Sequence, residues 1–399
     1  MPYTQTPPRG LTTIIALMTM IGPFTIDSYL PSFPDIEAEF NISRALLSQS
    51  LGIYLAAFAA ATLVFGPLAD RLGRRQIILI SLLFYIAASV GCALANDYST
   101  FLIYRVIQGA AAAGGLVAGR AIIRDVYSPQ DAHQAMSRIM MLFAIAPAIA
   151  PVIGGWLHDL FGWHSVFYFL AIYSSLIFFL VLMRIPETLL MSQRQSLHPI
   201  NVARVYGRTL MHRRFQSLIF IIAFYFCGLF LYIAGAPTII FDFLKLGVND
   251  FSVMFFPLVA GLIFGSWLSG RLAHRWPMER TIKLALGFML VGAVLNMLQA
   301  TWLTPTIIST ILPLMFYTSG VGIAMPAMTI LSLDCFPNNR GTASALQSFV
   351  QMIGNALIAS LAVPLLSEQP GHIAAGQMGL LIIALLLWWR LPELSAQQG

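Results

Sequence analysis

Apolar residues in this chain run in long unbroken blocks, not in the alternation of a half-buried strand or the one-sided stripe of a soluble helix. Segments 76–95 (QIILISLLFYIAASVGCALA) and 164–183 (HSVFYFLAIYSSLIFFLVLM) reach the roughly 20 mostly apolar residues that a helix needs to cross about 30 Å of hydrocarbon. Polar and turn-forming residues cut the chain into twelve such spans: 11–33, 46–68, 76–95, 99–122, 134–157, 164–184, 216–242, 251–271, 281–301, 305–332, 341–366 and 372–391. The pattern predicts an all-α integral membrane protein that passes the bilayer twelve times.

Composition sharpens this reading. Of 399 residues, 58% are hydrophobic and only 10% charged, where soluble domains carry about 25% charged residues. The formal charge of +6 does not point to nucleic acid, because the bases stand in ones to threes between apolar spans and form no contiguous patch. With both termini placed in the cytoplasm, all but Arg44, Lys245 and Arg105 of the 22 Lys and Arg fall in cytoplasmic segments, the bias that fixes orientation. The three cysteines, Cys92, Cys227 and Cys335, lack ligand-like spacing and are expected as buried free thiols. No metal site is expected. The first apolar stretch, preceded only by Arg9, runs through Asp27 and Pro31 without a small-residue cleavage site, so it reads as the first span and not a leader.

The longest polar stretch, 187–214, carries Arg194, Arg204, Arg208, Arg213 and Arg214 and separates six spans from six. It predicts a cytoplasmic linker between an N-terminal bundle (1–186) and a C-terminal bundle (215–399). The end of the second span, Gly66-Pro-Leu-Ala-Asp70-Arg71-Leu-Gly73-Arg74-Arg75, and that of the eighth, Gly265-Ser-Trp-Leu-Ser269-Gly270-Arg271-Leu-Ala-His274-Arg275, are alike at corresponding places, as in a duplicated fold. A glycine-rich helix end before cytoplasmic arginines gives the same look without duplication.

Ionisable residues inside spans are the functional candidates, since a charge in hydrocarbon costs several kcal/mol. Asp27 stands about sixteen residues into the first span. A carboxyl whose hydration changes with conformation can take up a proton on one side and release it on the other; a static ion pair or a cap beside Pro31 is the alternative. Arg105 lies about seven residues into the fourth span. It either holds helices together through backbone carbonyls or acts on Asp27 and substrate. In the eleventh span Ser344, Gln347, Ser348, Gln351 and Asn355 share one face, which either lines a pathway or bonds to neighbouring helices. Tyr225 and Tyr232 share a face of the seventh span, as Tyr54 and Phe58 do in the second. Aromatic walls suit varied apolar ligands, and they equally serve packing.

Several of these segments resemble the drug:proton antiporter branch of the major facilitator superfamily, and within it the bicyclomycin/chloramphenicol-resistance group. Gly66 to Arg75 matches the superfamily's G-x-L-a-D-r-x-G-r-k signature. Arg105-Val-Ile-Gln108-Gly109 is similar to the family's R-x-x-Q-G. Pro147-Ala-Ile-Ala-Pro151-Val-Ile-Gly154-Gly155 looks like the antiporter motif, with Ala146 and Ala150 in place of glycines. Asp27-Ser-Tyr29-Leu-Pro31-Ser-Phe-Pro34, Trp163-His164-Ser-Val-Phe167 and Phe336-Pro337-Asn-Asn-Arg-Gly341-Thr342-Ala343-Ser344 carry the likeness to the subgroup.

The resemblance covers essentially the whole chain and implies two pseudo-symmetric six-helix bundles. It implies export of small, largely apolar organic molecules across the cytoplasmic (inner) membrane, driven by the proton gradient without a cofactor, by a monomer. Proton coupling falls to Asp27 and Arg105, and a cavity between the halves to Asp27, Tyr29, Tyr54, Tyr225, Tyr232, Gln347, Gln351 and Asn355. A cluster of Gly66, Asp70, Arg71, Gly73, Arg74 and Asp125 is implied as a conformational lock. Within it Asp70 is expected to accept N–H groups at a helix N-terminus and Arg74 to pair with Asp125; a plain positive-inside loop is the alternative.

Other classes lack their motifs. No H-E-x-x-H or G-x-S-x-G supports a membrane-embedded enzyme, and no G-x-x-x-x-G-K-[ST] loop supports an ATP-driven pump. A receptor or scaffold with a transporter fold, or an exporter of a nucleoside, sugar or amino acid, remains compatible with the same sequence.

Overall fold

The computed structural model describes residues 8, 10–189, 199–273 and 275–391; Arg9, Arg194 and His274 lie outside them. Among these residues twelve helical spans are long and apolar enough to cross a membrane: α1 Leu11–Phe40, α2 Arg44–Leu72, α3 Arg74–Ala93, α4 Tyr98–Val126, α5 Gln134–Phe161, α6 His164–Arg184, α7 Arg213–Ala234, α8 Val248–Leu272, α9 Met278–Trp302, α10 Ile307–Asp334, α11 Arg340–Leu366 and α12 Pro370–Trp389. The chain is therefore a multi-pass membrane protein. Large apolar side chains that stay exposed, such as Ile103, Trp156 and Ile172, suit lipid contact.

Helix starts follow local chemistry. Ser43 accepts from the Leu46 N–H before α2, and Asp97 from the Thr100 N–H and hydroxyl before α4, satisfying donors that the first turn leaves without partners. Those Thr100 bonds hold the Asp97 carboxyl below the usual carboxylate range. Thr306 and Ser309 form a reciprocal capping box at α10.

Prolines set the breaks. The first span is longer than the expected 11–33 and is not one helix: it runs as Leu11–Thr19, Ile21–Asp27, a 3-10 turn Leu30–Ser32 and Phe33–Phe40. Pro31 has no N–H to give the Asp27 carbonyl four residues back, and its ring crowds that turn. Asp27 thus ends a helical segment in the middle of a span. Pro237 acts likewise beyond α7, where the expected helix to 242 stops at Ala234 and a π-helical turn, Thr238–Phe243, follows. Within the expected 187–214 linker a further helix forms, Pro199–Leu210.

The chain divides into two compact units, Met1–Ala203 and Arg204–Gly399. In the first, α2 and α3 pack on α4, α3 on α6, and α1 on α5. In the second, α8 and α9 pack on α10, α9 on α12, and α7 on α11. Each neighbour relation recurs six spans later, so the likeness between the ends of α2 and α8 belongs to a repeated arrangement of helices.

Helix α5 carries Pro147 and Pro151 inside its length and packs against the broken α1. At Gly154 the approach is so close that any Cβ would collide with the Ser28 carbonyl; Gly155 beside it is also buried. Gly154→Val is expected to cost about 1–3 kcal/mol through overpacking, read as a lower melting temperature of the purified protein. An unchanged melting temperature would remove Gly154 as the contact that seats α5 on α1.

Candidate functional site

Arg105, in the first half of α4, has no exposed surface. Aromatic rings surround its guanidinium: Tyr29 of α1 at 4.5 Å, Tyr54 of α2 at 4.7 Å and Phe167 of α6 at 6.0 Å from the ring centroids. Desolvated cation–π contacts are worth about 2 kcal/mol or more. Nη1 donates to Gln108 Oε1 at 2.7 Å, and Gln108 Nε2 donates to Ser89 Oγ of α3 at 2.9 Å. The cation therefore ties four helices to α4 through ring faces and one amide. The expectation of backbone carbonyl partners fails, because aromatic side chains occupy the space around the guanidinium.

Asp27 is 3% exposed. Neither its Oδ1 nor Arg105 Nε and Nη2 has a hydrogen-bond partner among the described residues, and no carboxylate among them pairs with Arg105. Asp27, Tyr29 and Arg105 all lie within electrostatic reach of Tyr54. Around them the hydroxyls form short chains: Thr25 Oγ1 meets the Tyr85 hydroxyl at 2.5 Å, and the Tyr29 hydroxyl meets Ser50 Oγ at 3.3 Å. The first unit thus brings Asp27, Tyr29, Tyr54 and Arg105 into one buried polar cluster. Thr25, Ser50, Tyr85 and Ser89 join them; their only sequence signal is a polar atom within an apolar run.

In the second unit the expected cavity residues form separate groups. Tyr225 donates to Met325 Sδ at 3.8 Å, and the Tyr317 hydroxyl donates to the Tyr225 carbonyl at 2.8 Å. Asn355 of α11 accepts from Cys227 Sγ of α7 at 3.7 Å. Gln347 accepts from Ser332 Oγ at 2.6 Å and donates to Thr329 Oγ1 at 3.1 Å, both on α10. These two members of the α11 stripe bond to neighbouring helices; Gln351 is buried between them. Tyr232 accepts from Asn296 Nδ2 of α9, which also reaches Gln377 Oε1 of α12 at 2.8 Å. Asn296 and Gln377 carry the same signal as the α11 stripe, an amide in an apolar span. Cys92 and Cys227 are buried as expected, whereas Cys335 is half-buried beyond the end of α10.

Where α2 meets α3, Gly73 has φ 113°, open to glycine and strained for other residues. The turn sets Arg74 between Asp70, its partner one turn back, and Asp125 Oδ2 of α4 at 3.3 Å. The Arg74–Asp125 pair is as expected, but Asp70 does not cap α3. Glu187 does: its Oε1 accepts the Arg74 N–H at 2.9 Å and its Oε2 the Arg75 N–H at 3.2 Å. Asp70 instead meets the charged Arg74 side chain across the Gly73 turn. Thr188 adds a bond to Asp125 at 3.2 Å, and Arg75 donates to the Leu182 carbonyl at 2.7 Å. Arg71 is exposed and Gly66 packs beside Val117. All partners of this cluster lie in the first unit. No sequence signal marked Glu187, which reads as one more acid in a polar segment.

A family model described as Major Facilitator Superfamily matches residues 15–359. An uncharacterised MFS-type transporter of Bacillus subtilis is 28% identical over 355 residues, covering 88% of each chain. A bicyclomycin resistance protein homolog of Haemophilus influenzae is 26% identical over 388 residues, covering 95% of each. The crystal structure of a D-xylose-proton symporter superposes with a TM-score of 0.73 at 16% identity, covering 96% of this chain and 98% of that one, which shows the shared fold.

The Glu187 cap generates a stability contrast. Glu187→Ala removes two acceptors from the start of α3 and is expected to cost about 1–2 kcal/mol, whereas Asp70→Asn leaves Arg74 its Asp125 partner and costs less. Thermal melting of the two variants, compared with the unaltered protein, checks the order; a larger loss in Asp70→Asn would reverse it.

Proposed function

The chain belongs to the Major Facilitator Superfamily, secondary transporters and not enzymes, and from that premise we propose that it exports small, largely apolar organic molecules in exchange for protons. The relative named for bicyclomycin resistance supports an antibiotic-like substrate. One observation carries the proposal: Asp27 is buried at a break in α1, without a bond to Oδ1 among the described residues, and shares the neighbour Tyr54 with a guanidinium surrounded by rings. A carboxyl that is neither salt-bridged nor exposed can change protonation without dismantling an ion pair, which a static structural acid cannot.

In this reading the outward-open state hydrates Asp27 and lets it protonate from the acidic side, which displaces substrate. The inward-open state releases the proton and favours substrate rebinding, so the gradient biases two states of unequal affinity. Arg105 modulates Asp27 through the shared Tyr29 and Tyr54 rings. Tyr225, Tyr232, Gln347, Gln351 and Asn355 belong to the second half's contribution to the substrate path. Gly66, Asp70, Arg71, Gly73, Arg74 and Asp125 act as the lock on one state, and Pro147, Pro151, Gly154 and Gly155 shape α5 for exchange. The 187–214 segment and both termini face the cytoplasm, in line with the Arg and Lys distribution. The protein works in the cytoplasmic membrane as a monomer and takes its energy from the proton gradient with no cofactor. Export of a single metabolite rather than of drugs is the second reading, since fold does not fix substrate.

The test is flux into inverted vesicles under an imposed pH gradient. Asp27→Asn is expected to retain substrate binding, because the amide resembles the protonated acid, while losing uphill transport. Asp27→Glu is expected to keep partial activity with a displaced pH dependence. Uphill transport by Asp27→Asn at equal membrane abundance would make Asp27 structural.

A further inference from the structure

Of the Trp163-His164-Ser-Val-Phe167 segment, the proton cluster uses only Phe167, whose ring faces Arg105. At the end of the first unit opposite the α2–α3 turn, Phe101, Trp163 and Phe167 form a closed set. Ring centroids lie 6.2 Å apart for Phe101 and Trp163, 5.5 Å for Phe101 and Phe167, and 6.0 Å for Trp163 and Phe167, with every pair near perpendicular. That is the edge-to-face arrangement aromatic quadrupoles favour. All three rings are buried, and Phe40 of α1 closes on both Phe101 and Trp163 at 5.7 Å. In close packing of this kind each ring blocks rotation of the others.

The set has one polar atom, Trp163 Nε1, and a buried indole N–H needs a partner. Glu39, on the Phe33–Phe40 segment of α1, accepts it through Oε2 at 2.6 Å. Its other oxygen, Oε1, meets His164 Nε2 at 3.4 Å, and the His164 ring stacks on the indole at 3.8 Å. Phe167 carries the contact inward: its ring lies 6.0 Å from the Arg105 guanidinium and 6.0 Å from the Tyr29 ring. Phe101 stands one turn before Arg105 on α4. We propose that Glu39 and Trp163 are positioning residues for Arg105. The bond to Glu39 fixes Trp163 against Phe101 and Phe167, and Phe167 with Tyr29 then keeps the guanidinium among the rings. Removing the acceptor leaves a buried N–H without a partner, which costs more than the bond itself contributes, so the indole turns toward water and Phe167 loses its neighbour. The inference rests on the reading of Arg105 as the modulator of Asp27 and extends that site to the far end of α1.

The experiment is nuclear magnetic resonance of the full-length protein in detergent, isotope-labelled on arginine nitrogen only, reading the Arg105 Nε–H proton. Ring currents shift protons over ring faces to lower frequency, so this signal is expected apart from those of the other arginines; its loss in Arg105→Lys assigns it. Glu39→Ala and Trp163→Phe should each move it toward the other arginines. Glu39→Gln, whose amide oxygen still accepts the indole N–H, should leave it in place, a rescue that a role resting on the charge of Glu39 does not give. Melting temperatures of the variants, taken alongside, establish that they are folded. An Arg105 signal among those of the other arginines in the unaltered protein, an unmoved signal in folded Glu39→Ala and Trp163→Phe, or equal displacement in Glu39→Gln and Glu39→Ala would each overturn the proposal. The signal reports where the cation stands whether or not Asp27 carries a proton, so failure here is distinct from failure of the flux test on Asp27→Asn.

Discussion

A guanidinium with no carboxylate partner among the described residues, buried among ring faces, is the constraint on which the first half depends. Ionised side chains in hydrocarbon are costly, so Arg105 persists only because Tyr29, Tyr54 and Phe167 converge on it from α1, α2 and α6. Each ring must be delivered to its place, which fixes how those helices stand around α4. The close approach of α4 to α2 is part of the same fit: at Gly109, one turn from Arg105, a Cβ would strike the Tyr54 backbone. The rings and Gln108 surround the cation, Nε and Nη2 keep no hydrogen-bond partner among the described residues, and no ion pair forms between Arg105 and Asp27.

The cluster at the α2–α3 turn works on the opposite plan. There the charges are fully engaged: Arg74 spans Asp70 and Asp125, and Glu187 closes the start of α3 from beyond α6. The Glu187 contact draws the chain leaving α6 back onto α3, so the residues just after α6 are held to the α2–α3 turn. A change in any member is felt by the others, as in hydrogen-bonded networks generally.

Much of this was legible in the sequence because membranes make polar residues conspicuous. Twelve apolar blocks gave twelve spans, and Asp27, Arg105, Gln347 and Asn355 stood out against apolar neighbours. What could not be read was which partner each polar group takes. Rings instead of carbonyls around Arg105, and Glu187 instead of Asp70 at α3, are decided by which side chains the fold brings together from distant segments. The proline breaks were half legible. Pro31 marks where helical bonding fails, but not that the chain resumes as a helix over Phe33–Phe40, nor that Asp27 sits at the break. The amides Asn296 and Gln377 carried a visible signal, and their convergence on Tyr232 required knowing that α7, α9 and α12 are neighbours.

The central claim is that Asp27 is an unpaired, exchangeable proton site and not a structural acid. Purified protein in weakly buffered detergent solution reports this directly: on addition of a transported antibiotic, a pH indicator registers protons set free. The account predicts release from the unaltered protein and none from Asp27→Asn, with antibiotic binding retained in both. Equal release from Asp27→Asn would contradict it and place the exchangeable proton on another group.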